Sequence, residues 1–108
     1  MIQFNKKTLK IGKKKIELEY SIKKVLEYKS IIVVLYYDNE IIPNNVIAFD
    51  LEGNQLWKVN DILCIKKPTG NVDIIKASEN TIRIISDLSI AFEINVYKKE
   101  LIKKDYLR

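Results

Sequence analysis

The stretch Val46-Ile47-Ala48-Phe49-Asp50-Leu51-Glu52-Gly53-Asn54-Gln55-Leu56-Trp57 decides the fold. Two strand-like runs, Val46 to Asp50 and Gln55 to Val59, flank Leu51 to Asn54, and the Gly53-Asn54 step offers the positive-φ positions that a tight hairpin needs. A hairpin here commits this part of the chain to antiparallel sheet. Strand signals recur on both sides of it every ~8–12 residues with turn residues between them, the spacing of an all-β sandwich, barrel or propeller-like meander.

Toward the N-terminus, Ile31 to Tyr37 is apolar at every position, the pattern of a strand buried on both faces. Asp38 to Asn45 is polar, contains Pro43 and reads as a loop. Ser21 to Lys29 fits a helix through the spacing of Ile22, Val25 and Leu26, and fits a strand through Val25 to Tyr28; the strand is preferred. Before it, Thr8 to Ile11 and Lys15 to Tyr20 form a hairpin about Gly12, with Ile16, Leu18 and Tyr20 alternating with charged neighbours.

Toward the C-terminus, Asn60 to Asn71 is a longer connection, followed by strands at Val72 to Lys76, Thr81 to Ser86 and Ser89 to Val96. The tail Lys98 to Arg108 has the composition of an amphipathic helix, but an internal repeat makes it a strand. Ile47-Ala48-Phe49-Asp50-Leu51 recurs as Ile90-Ala91-Phe92-Glu93-Ile94, offset by 43 residues, and each copy follows an apolar strand. Leu56 to Val59 is the return strand of the first copy and Leu101 to Lys104 that of the second, so each unit is a three-stranded meander.

Val46 to Trp57 resembles the blade signature of PQQ-type β-propellers, where a strand ending in aromatic-Asp meets a Gly-containing turn and a strand carrying Leu-Trp. The resemblance implies that Asp50 caps the turn's backbone N–H groups and that Trp57 packs between sheets. The second copy departs from the pattern, since Asn95 to Glu100 lacks Gly and no Trp follows. Two blades do not close a propeller, which typically has about four or more, so no quinone cofactor is implied. The Val-x-Ala-Phe-Asp…Gly-Asn-x-Leu-Trp pattern is also similar to that of small bacterial β proteins of this length, some of which look like immunity proteins that neutralise toxins passed between neighbouring bacteria.

The expectation is a single all-β domain over residues 1–108. Its antiparallel meanders and hairpins form a small sandwich, barrel or incomplete propeller-like domain, with a basic N-terminal hairpin region at 1–29 and blade-like repeats at 30–60 and 80–107. Hydrophobic residues make up 47% and charged ones 31%, which is enough apolar content to fold. Residues 1–29 carry nine Lys against three Glu, residues 30–65 one Lys against five acids, and residues 66–108 nine Lys or Arg against six acids. Basic ends around an acidic middle suit a charged partner, and equally suit lysines that decorate strand edges.

The chain has no histidine, which removes the commonest general base and metal ligand, and its single cysteine, Cys64, excludes zinc sites of structural type. Its three glycines form no phosphate-cradling motif. No catalytic, metal or cofactor residue is therefore assigned, and an enzyme is not expected. A lone cysteine, no apolar run near ~18 residues and no signal-like N-terminus point to the cytoplasm without a membrane partner.

The carboxylate pairs Asp38 with Glu40 and Asp50 with Glu52 have i, i+2 spacing, suited to a basic partner or a cation, or else to turn capping. Trp57 is a core residue or a binding anchor, and alternation sends one of Tyr36 and Tyr37 outward. Tyr36, Tyr37, Asp38 and Glu40 are the candidate contacts for a protein partner. Lys6, Lys7, Lys10, Lys13, Lys14 and Lys15 are the alternative contacts, for nucleic acid, although no aromatic or arginine is interleaved with them. The functional expectation is an immunity protein that occludes a toxin. The alternatives are a basic nucleic-acid-binding module and a structural or oligomerisation domain.

Overall fold

A computed structural model describes residues 2–37, 44–65 and 70–107. The described residues are almost entirely strand, in three antiparallel sheets with no closed barrel. The first sheet holds β1 (Ile2–Asn5), β2 (Thr8–Ile11) and β3 (Lys14–Glu17) in sequence order. The second holds β4 (Ile22–Glu27), β5 (Ile31–Tyr36), β6 (Val46–Asp50) and β7 (Gln55–Lys58). A short helix, α1 (Val59–Leu63), leads toward the third, made of β8 (Asn71–Lys76), β9 (Thr81–Ser86), β10 (Ile90–Asn95) and β11 (Glu100–Tyr106).

The sheets stack as three layers, and the middle one explains the all-apolar run on β5. Val33, Leu35, Val46, Ala48 and Trp57 face the third sheet, meeting Ile74, Ile82, Ile84, Ile94 and Val96. On the other side Ile32, Val34, Tyr36, Ile47 and Phe49 lie under Leu9 and its neighbours Ile2, Ile11 and Ile16 in the first sheet. A strand covered on both sides has no position for a polar side chain, and all six residues of β5 are buried.

Each blade-like unit has four strands rather than the three expected, because β4 and β8 add one edge apiece. These edges run side by side. Lys23 Nζ donates to the Val72 carbonyl at 2.8 Å, Lys24 Nζ pairs with Asp73 Oδ1 at 3.0 Å, and Lys76 Nζ donates to the Glu27 carbonyl at 3.1 Å, each across 49 residues. The constant offset means that β4 and β8 point the same way. The preferred strand at Ser21 to Lys29 and the strand in the tail are both present, as β4 and β11. The basic region 1–29 is divided, its last strand joining the middle sheet.

The connection after Trp57 differs from expectation, since it opens with α1. At five residues the helix is too short to show a 3.6-residue period. It is held locally, with the Lys58 N–H donating to Asp61 Oδ2 at 3.1 Å and the chain leaving through a left-handed Cys64 at φ 52°. In the deciding hairpin only Gly53 takes positive φ, at 93°. A Cβ there would lie 2.5 Å from Ile16 Cδ1, so a larger residue would also have to displace the end of the Ile16 side chain.

Candidate functional site

After β3 the chain passes through Leu18, Glu19 and Tyr20 before entering β4. Between this segment and the outward face of β6 and β7 lies a groove of about 360 Å³. The buried side chains Tyr36, Ile47 and Phe49 supply its floor, and the exposed Glu17, Glu19 and Gln55 its rim. Tyr20 meets Tyr36 edge-on, with ring centroids 5.6 Å apart and planes at 70°.

Both signs of charge line the groove, Glu17 and Glu19 on one side and Lys58 on the other. Burial pushes the Tyr36 phenol up to about 12, and the neighbouring Glu19 carboxylate, then Tyr20, add to the shift. Tyr28 is likewise pushed up to about 12 by burial and then by Tyr97, while its hydroxyl donates to the Thr81 carbonyl in the third sheet. A raised tyrosine pKa means that the folded state keeps a proton the unfolded chain has already lost. The stabilisation is full below pH 10.0 and disappears as pH rises through about 12. In an ultraviolet titration two of the six tyrosines are expected to ionise last, together with a loss of stability in that window. Six phenols titrating together in the folded protein would contradict this.

Of the four residues expected to contact a protein, Tyr36 is buried in the groove and Tyr37 is 46% exposed beyond the end of β5. Asp38 and Glu40 lie outside the described residues. Asp50 and Glu52 do not form a joint site. Asp50 Oδ1 accepts the Glu52 and Asn54 N–H groups at 2.9 Å each, and Oδ2 accepts Asn54 Nδ2 at 3.1 Å. The bond from the Asn54 N–H is the first cause holding the Asp50 carboxyl below its ordinary range. Glu52 instead pairs with Lys14 at 3.2 Å. Trp57 is core, 3% exposed, with its indole N–H donating to the Val96 carbonyl of the third sheet.

The groove's Glu17, Glu19, Tyr20 and Phe49 were absent from the sequence-based candidates. Alternation around Ile16, Leu18 and Tyr20 marks a surface strand but does not say that Tyr20 meets Tyr36. The lysines are also sorted by the fold. Lys10 and Lys15 are direct cross-strand partners, flanked by Gln3 across β1, whereas Lys14 turns the other way to reach Glu52. Lys6 and Lys7 sit in the β1–β2 turn and Lys13 in the β2–β3 turn, at opposite ends of the sheet.

Among the described residues no cluster of His, Cys, Asp or Glu is placed to hold a metal ion, and no helix is long and apolar enough to cross a membrane. The family model described as Domain of unknown function (DUF7957) matches residues 1–106, and the chain belongs to that family. No curated protein and no solved structure matches it.

Proposed function

We propose that this member of the DUF7957 family is a non-enzymatic protein-binding domain whose groove takes a basic side chain of its partner. In this reading it is a cytoplasmic immunity protein that neutralises a bacterial toxin by direct occlusion. The observation that carries the proposal is the placement of Glu19 at the rim of the groove floored by Tyr36 and Phe49, beside Glu17, whose carboxylate accepts from the Thr8 hydroxyl, and across from Lys58. Carboxylates pair with a lysine or arginine head group, and aromatic faces and edges hold its stem or guanidinium plane. Tyr37 offers an exposed aromatic anchor beyond the end of β5. The exposed free thiol of Cys64 suits a reducing compartment.

The test is calorimetric titration with the protein encoded by the neighbouring reading frame, using wild type and Glu19→Lys. Wild type is expected to bind, and the charge reversal at an exposed rim position to weaken binding about tenfold or more while leaving the fold intact. No binding by wild type, or equal binding by the variant, would sink the proposal.

A second reading has one observation in its favour. Lys10 and Lys15 stand opposite each other without a carboxylate partner among the described residues, although like charges in that position repel. A bound polyanion would relieve that repulsion. Single-stranded DNA is the discriminating probe: binding that falls steeply with added salt and is weakened by Lys10→Gln supports this reading over the first.

A further inference from the structure

Both outer faces of the stack carry charged side chains, with Ile75 exposed among them on the third sheet, but half of the large exposed apolar side chains gather at one edge. The free face of the first sheet carries Lys10 and Lys15, and that of the third carries Arg83, Glu93, Lys103 and Asp105, which fits end layers that stop further stacking. Ten large apolar side chains are exposed among the described residues. Five of them, Leu88, Leu101, Ile102, Tyr106 and Leu107, lie on β11, just past it, or in the neighbouring β9–β10 turn. Ile102 is 54% and Tyr106 70% exposed.

Strand β11 is the outermost strand of its sheet, with β10 on one side only. The Leu107 N–H donates to the Ser89 carbonyl at 2.7 Å, toward the β10 side. Alternation then aims the N–H and C=O of Lys104 and Tyr106 away from β10, as edge groups without a backbone partner among the described residues. We propose that β11 pairs with β11 of a second copy of this chain, antiparallel and centred on Lys104, to give a dimer with one continuous sheet across the axis.

The register follows from complementarity. Centring on Lys104 places Lys103 opposite Asp105 of the other copy, twice, and Ile102 opposite Tyr106, twice. A register centred on Lys103 or Asp105 loses both charge pairs. The bulge in β11 falls at Ile102, and from Lys103 to Tyr106 the strand is regular. The one like-charge contact, Lys104 at the axis, is eased because its ammonium lies 5.2 Å from its own Tyr106 ring and 5.9 Å from Phe92. On the outer face Arg83 and Lys103 share Asp105, each at 3.5 Å, so the new pairs extend an existing alternation of charge. Paired copies close by two-fold symmetry, which removes the edge instead of passing it on.

Sedimentation equilibrium of the full chain at about 100 μM, well above the micromolar range of modest interfaces, reads the outcome. Wild type is expected to be a dimer and Asp105→Lys a monomer, with Lys103→Asp/Asp105→Lys returning to dimer because the complementarity is restored in reverse. Asp105 also neighbours Arg83, so Lys104→Pro provides a reading that does not depend on that ion pair. It deletes an outward N–H and is expected to yield a monomer with native circular dichroism. A monomeric wild type, or a natively folded Lys104→Pro protein that stays dimeric, overturns the proposal.

Discussion

Replacing Trp57 by alanine is expected to destabilise the fold by about 3–5 kcal/mol, the range for truncating a fully packed large aromatic. The side chain extends from β7 opposite Ala48 on β6, and the small partner leaves room for the ring to reach the third sheet. There its N–H donates to the Val96 carbonyl at 3.0 Å. Truncation therefore opens a cavity between two layers and strands a buried acceptor. Phenylalanine separates the two contributions: it keeps most of the volume and removes the hydrogen bond, and is expected to recover more than half of the loss. Urea denaturation of the three proteins checks the order, and an alanine variant within about 1 kcal/mol of wild type would show that Trp57 does not couple the layers.

The second large effect is expected at a residue with no apolar content. Asn45 is fully buried just before β6, and its amide joins two sheets. Nδ2 donates to the Tyr36 carbonyl at 3.0 Å and to the Asn71 carbonyl at 2.7 Å, while Oδ1 accepts the Asn71 backbone N–H and Asn71 Nδ2 at 3.0 Å each. Leucine has nearly the same size but can do none of this, so several buried polar groups lose their partner together. A loss of about 3 kcal/mol or more follows from ~1–3 kcal/mol per stranded group. Because Asn71 shares these bonds, Asn45→Leu and Asn71→Leu are expected to be strongly non-additive, the double variant being little worse than either single one. Additive effects in a double-mutant cycle would contradict the clamp.

These two residues show different degrees of legibility. The hairpin that carries Trp57 is written in adjacent residues, since a strand ending in Asp50, a glycine turn and a return strand are local chemistry. Asn45 and Asn71 read as loop residues, because a polar side chain between strands has no local mark that distinguishes a solvated turn from a buried clamp. The same holds for the groove. Glu17 and Glu19 alternate with apolar residues as any surface strand does, and their significance comes from Tyr36, which lies in another sheet. Among the lysines, alternation alone separates Lys14 from Lys15, but that Lys14 finds Glu52 depends on how the β6–β7 turn packs beside β3.

Local periodicity and turn chemistry therefore sufficed for most of the strands, though not for β1, absent from the sequence-based strands, nor for the tail, which needed the internal repeat. They also sufficed for the antiparallel order within each hairpin and for the demand of Ile31 to Tyr37 to be covered on both sides. That demand was met only when sheets distant in sequence closed over the middle one. Layering, the short helix, the asparagine clamp, the aromatic groove and the open β11 edge all depend on which faces meet. Such meetings are governed by the summed burial of many side chains, which no single stretch of sequence contains.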